Sequence, residues 1–131
     1  MIWGRMNNKE LGLRGEEIAA EWLLGHGFSL LERNWRYRGA EIDIIAVRDD
    51  TLRIIEVKSR SERSRDSITN SLNDVKLRQL VKGADGYVSS RGCDFTGGVR
   101  FDLVTVIFSG GTGYEVEYTP SFFYPEWTAV R

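Results

Sequence analysis

Two runs rich in β-branched residues, Glu41-Ile42-Asp43-Ile44-Ile45-Ala46-Val47 and Leu52-Arg53-Ile54-Ile55-Glu56-Val57-Lys58, flank the turn-forming interval Arg48-Asp49-Asp50-Thr51. Such runs favour extended backbone, and the short polar interval between them predicts a hairpin. With the turn centred between Asp49 and Asp50, Asp43 falls opposite Glu56 and Glu41 opposite Lys58. Side chains alternate along a strand, so these four share a face with Ile45, Ile54, Val47 and Leu52. Ile42, Ile44, Ala46, Ile55 and Val57 then take the other face. A one-residue slip would separate Asp43 from Glu56.

Like charges placed directly opposite on a sheet destabilise it by a few tenths to about 1 kcal/mol, more where water is partly excluded. A divalent cation removes the conflict. Two converging carboxylates beside a lysine make an oxygen-donor site suited to Mg²⁺ or Mn²⁺, an ion that keeps several waters for a phosphate to displace. Residues 33–65 carry nine bases against six acids, a local +3 in a chain whose net charge is −1. The bases needed for a polyanion are therefore gathered around the hairpin instead of being spread over the chain.

The remaining segments predict elements around this hairpin. Leu11, Gly15, Ile18, Ala19, Trp22, Leu23 and His26 form one helical stripe, which predicts a first helix over about 10–25 after a loose leader at 1–9. Phe28 to Glu32 reads as a short strand that continues irregularly through residues 34–39. Residues 59–70 turn polar without periodicity, as a surface loop does. Ser71 and Asp74 resemble a capping box opening a second helix over about 72–88. Val99–Phe108 is apolar on both faces at its centre and predicts a strand covered on both sides. Gly110-Gly111-Thr112-Gly113 is a turn into Tyr114–Tyr118, and residues 119–131 form an aromatic tail.

With 131 residues, 41% of them apolar, the chain is sized for a single domain. No stretch approaches the roughly 20 apolar residues of a membrane span, and Met1-Ile2-Trp3-Gly4-Arg5 lacks the pattern of a signal peptide, so a cytoplasmic protein without a membrane partner is expected. Cys93 is the only cysteine, which excludes an internal disulfide and a zinc finger. His26 reads as a packing or capping residue, and neither it nor Cys93 has a catalytic partner in sequence.

An Asp on one strand and Glu-x-Lys on the next resembles the PD-(D/E)XK, or restriction-endonuclease-like, nuclease superfamily, here as Asp43 and Glu56-Val57-Lys58. More closely, the chain resembles the YraN-type family of small bacterial nuclease-like proteins. The stretches that carry this are LGLRGEEIAAEWLLGHGF, ERNWRYRGAEIDIIA, LRIIEVKSRS, the second helix bearing Lys76, and RFDLVTV. The resemblance implies an α/β fold with an αβββαβ core and a mixed central sheet of about four or five strands flanked by helices. It also implies metal-dependent cleavage of nucleic-acid phosphodiesters. Asp43 and Glu56 match the metal-binding carboxylates and Lys58 the motif lysine. Glu16, with Glu17 as the fallback, matches an acid that completes such sites from the first helix. Ile42 stands where the motif name has proline.

Glu41 is either an outer support of the carboxylates or a salt-bridge partner of Lys58. Arg33, Arg36, Arg38, Arg60, Arg63 and Arg65 are expected to contact backbone phosphates, and Lys76 either joins them or is a plain exposed helix lysine. The expected partner is nucleic acid, DNA ahead of RNA, in branched or single-stranded form among others. Two rival readings keep the fold: a catalytically weak or inactive nucleic-acid-binding module, and a homodimeric interaction protein using Phe122, Phe123, Tyr124 and Trp127.

Overall fold

The computed structural model describes residues 3–62, 72–91 and 97–125. Arg63, Arg65, Ser71, Cys93 and Trp127, singled out above, lie outside the described residues. The chain is α/β: among the described residues two α-helices flank a five-stranded mixed sheet of order β1-β2-β3-β4-β5, the arrangement of a restriction-endonuclease-like core. In chain order the elements are α1 (Asn8–Gly25), β1 (Ser29–Tyr37), β2 (Ala40–Arg48), β3 (Thr51–Ser61), α2 (Asp74–Arg91), β4 (Val99–Phe108) and β5 (Tyr114–Thr119). Only β3 and β4 run parallel, with α2 in the crossover that such a pair requires.

Local chemistry sets the boundaries. α1 starts earlier than periodicity predicts because Asn7 and Glu10 form a reciprocal capping box, each side chain bonded to the other's backbone N–H. The leading residues are tied down, since Trp3 donates its indole N–H to the Gly113 carbonyl at 2.9 Å and packs against the Phe108 ring. At the second helix the cap is Asn73, whose Oδ1 accepts the Lys76 N–H at 3.0 Å. The hairpin between β2 and β3 has the predicted register from Arg48 opposite Thr51 to Ile44 opposite Ile55, where the ladder ends; the predicted pairs Asp43–Glu56 and Glu41–Lys58 are not part of it. Its two turn residues, Asp49 and Asp50, both adopt positive φ, 53° and 59°, the handedness that matches strand twist.

Each face of the sheet carries a core. Beneath α1 lie Ile44, Ala46, Ile55, Val57, Val104 and Val106, packed on Ile18, Ala19 and Leu23. Beneath α2 lie Ile42, Ile45, Leu52, Ile54 and Phe101, packed on Leu80, Val81, Ala84 and Tyr87. Strict alternation would put Ile42 with Ile44. The structure corrects that placement: the alternation of β2 breaks at Asp43, between them. Phe122 and Phe123 of the tail pack on the α2 side, Phe123 with its ring centroid 4.8 Å from that of Phe101, and Tyr124 is exposed.

Candidate functional site

The break in β2 is where the candidate residues meet. Pairing between β2 and β3 stops at Ile44 and Ile55, and the next free donor on β3, the Val57 N–H, is taken by the Asp43 side chain, Oδ2 at 2.8 Å. The carboxyl of Asp43 thus replaces a backbone carbonyl in the ladder and lies in the opening between the parting strands. On the other side of Asp43, pairing of β1 with β2 skips from Arg33–Ile44 to Trp35–Ile42, and Asn34 adopts a left-handed φ of 52°.

Glu56 is buried on β3, at 2% exposure. Its Oε2 lies 3.3 Å from Lys58 Nζ and 3.5 Å from Lys76 Nζ. Its Oε1 is buried and has no hydrogen-bond partner among the described residues. An unsatisfied buried carboxylate oxygen costs about 1–3 kcal/mol or more, a cost that a proton shared with the neighbouring Asp43 carboxyl or a bound cation would relieve. Burial first, the adjacent Glu56 carboxylate second and a hydrogen bond between the two carboxyls push the Asp43 carboxyl up to about 8, although the Val57 N–H opposes the shift. Glu16 is raised as well, chiefly by burial, with the Arg33 charge and a hydrogen bond from Asn34 pulling the other way. The Glu56 charge is felt at both Glu16 and Asp43, and the Glu16 charge at Asp43, so α1, β2 and β3 converge on one acidic centre.

α1 comes this close because residue 15 is glycine: a Cβ there would stand 1.8 Å from Ser59 Oγ and 3.0 Å from Ser59 Cβ. Gly15 therefore lets the helix lie on β3 with Glu16 beside the opening.

The other predicted residues separate into two groups. Arg33 is electrostatically coupled to Glu16, and Lys58 and Lys76 both hold Glu56. Glu41 pairs with Arg36 at 3.2 Å and not with Lys58, and its charge also helps to raise Glu16, so it borders the acidic centre. Glu17 pairs with Arg14 along α1 at 3.1 Å. Arg38 lies over the Tyr37 ring, and Arg60 is half-buried with its Nε lacking a hydrogen bond among the described residues. Asn34 is the participant that sequence reasoning missed. Its signal was an asparagine, a residue that tolerates left-handed backbone, interrupting a strand opposite the key aspartate.

The donor set fits a hard divalent ion: carboxylate oxygens only, one of them orphaned and buried, in an acidic centre where two carboxyls repel. Among the described residues no three His, Cys, Asp or Glu side chains are drawn into one closed ligand group. The pair Asp43 and Glu56 thus suits an ion that retains most of its own water, with Glu16 at the margin.

Known proteins resemble this chain over most of its length. Residues 15–106 match the model of the uncharacterised protein family UPF0102. Among its relatives, a UPF0102 protein of Parabacteroides distasonis is 38% identical over 115 residues, covering 88% of this chain and 93% of the relative. One of Flavobacterium johnsoniae is 37% identical, covering 89% of this chain and 96% of its own. One of Dictyoglomus turgidum is 38% identical, covering 90% of this chain and all of its own.

Proposed function

This chain belongs to the UPF0102 (YraN-type) family, and from that premise we propose that it is a metal-dependent nuclease hydrolysing nucleic-acid phosphodiester bonds, DNA before RNA, branched and single-stranded forms included. The observation that carries the reading is the orphaned, buried Oε1 of Glu56 next to Asp43 at the point where two strands part. A fold keeps such a carboxyl pair at a cost to its stability when the pair has something else to hold.

Asp43 and Glu56 would hold Mg²⁺ or Mn²⁺, with Glu16 oriented by Asn34 at its edge. When bound, such an ion supplies an activated water and neutralises charge on phosphoryl oxygens. Lys58, two residues beyond Glu56 on the same strand and 3.3 Å from its Oε2, would orient the nucleophile or stabilise charge developing on the phosphoryl group. Arg33 and Arg60, and Arg36 on exchange from Glu41, contribute salt-dependent backbone contacts that carry little sequence preference.

The test is cleavage of plasmid and oligonucleotide DNA by the purified protein with Mg²⁺ or Mn²⁺. Asp43→Ala, Glu56→Ala and Lys58→Ala should each lower the rate at least ~100-fold. Equal residual cleavage by wild type and all three variants identifies a contaminant and ends the proposal. Salt-dependent retention on nucleic acid with no product under any divalent ion would replace it with the binding module.

A further inference from the structure

Lys76 comes from the first turn of α2 and reaches Glu56 Oε2 at 3.5 Å, the same oxygen that Lys58 reaches at 3.3 Å. An ammonium in a tight charge-assisted bond to a carboxylate stands at about 2.7–2.9 Å. Both contacts are longer than that. One oxygen is therefore shared by two loosely held cations while its twin, Oε1, has no hydrogen-bond partner among the described residues. A bridge serving only to fasten α2 to the sheet gains most when a lysine sits close on its own oxygen. Two ammoniums crowded on one oxygen repel each other instead.

We propose that Lys76 is an exchangeable counter-cation of Glu56, which neutralises the carboxylate in the ion-free protein, competes with a divalent ion for it, and turns to the nucleic-acid phosphates once displaced. This rests on the nuclease reading of the site. Lys58 lies on the strand of Glu56 itself and is the nearer of the two at 3.3 Å, whereas Lys76 arrives from another element and stands at 3.5 Å; exposure does not separate them, at 25% and 26%. Of two like charges facing an incoming dication, the more loosely placed one yields. The released ammonium then adds a phosphate contact present only in the ion-loaded protein. Ion and nucleic acid must consequently strengthen each other's binding, because coupling of this kind is reciprocal.

Lys76→Met keeps the aliphatic stem and removes the charge. Mn²⁺ binding, followed by electron paramagnetic resonance in the absence of nucleic acid, should tighten about 10-fold in this variant relative to wild type. Ca²⁺, used as a non-reactive ion, should then enhance oligonucleotide binding several-fold less in the variant than in wild type. Lys82→Met is the charge control: its Nζ bonds the Arg38 carbonyl at 2.9 Å and not Glu56, so Mn²⁺ affinity should match wild type. Lys76→Gln repeats the test independently should the methionine variant melt early. Unchanged or weaker Mn²⁺ binding in both Lys76 variants makes the residue a structural tether and overturns the proposal while leaving the nuclease reading intact. Failure of the wild type to bind Mn²⁺ overturns both.

Discussion

At the scale of single residues, Asp43 sets stability against function. Its folded-state carboxyl is raised from 3.8 to about 8, so between those values the folded protein binds a proton that the unfolded chain has released. Stability of the ion-free protein therefore falls as pH rises from about 4 to about 8. Asp43→Asn removes this dependence, and its amide oxygen can still accept the Val57 N–H. In chelator, the variant should melt higher than wild type at pH 8 and show a smaller loss between pH 5 and pH 8, while cleavage is abolished. A wild type equally stable at both pH values would contradict the assignment. Gly15 gives the complementary case. Gly15→Ala collides with Ser59 and should cost about 1–3 kcal/mol by pushing α1 off β3, with a loss of activity as Glu16 moves. Ser59→Gly in the same chain should recover both. Asp43, Glu56 and Lys58 were legible in sequence from their spacing across a hairpin, and Glu16 only through the family resemblance. Asn34 and the Ser59 contact were not, because each depends on a backbone irregularity or an approach between distant elements that spacing does not encode.

At the scale of elements, the hairpin register was readable because the short Arg48–Thr51 interval fixes the centre at Asp49-Asp50; apolar residues on both faces do not by themselves exclude a one-residue slip. The turn is nevertheless suboptimal. Two aspartates hold left-handed backbone that glycine adopts without a Cβ penalty. Asp50→Gly should stabilise the protein by about 0.5–1 kcal/mol in chemical denaturation, with an unchanged cleavage rate, because the turn lies at the end of the hairpin remote from Asp43. What the pattern could not reveal was the break in alternation at Asp43. Isoleucine stands on both sides of it and suits either face, so composition there is blind to direction. The same break is what lets one aspartate face both the Glu16 side and the Glu56 side of the sheet. The most informative element of the fold is thus its least regular strand.

At the scale of the whole molecule, the parallel pairing of β3 with β4 demands a crossover. Filling it with α2 covers one face of the sheet while α1 covers the other, so both acidic elements and Lys76 are delivered to the opening by the topology itself. The sequence showed two helices and apolar central strands; the parallel pairing came only through family resemblance, since a helix between two strands does not state which of them are neighbours. The sheet holds a second buried charge group that tests the division between site and scaffold. Asp102, fully buried on β4, accepts from Arg53 Nη1 at 3.0 Å, from the Tyr118 hydroxyl, and from the Ser121 N–H at 2.8 Å. This network joins β3, β4 and β5 beneath α1, where Tyr118 also stacks on Trp22, and every oxygen of Asp102 is engaged. Burial and the Asp102 carboxylate raise the Tyr118 hydroxyl, so it remains a neutral donor. Asp102→Ala leaves Arg53 buried without its partner and should cost about 3–5 kcal/mol. Cleavage measured well below the melting temperature should stay near wild type, because the hydrogen bonds and ion pair described for the network do not include Glu56 or Asp43. The two aspartates should therefore respond in opposite senses: replacing residue 43 gains stability and loses activity, and replacing residue 102 loses stability and keeps activity. Paired melting and cleavage measurements on the two variants check this directly. A stabilised Asp102→Ala, or one inactive while folded, would place that network in the working site instead of the scaffold.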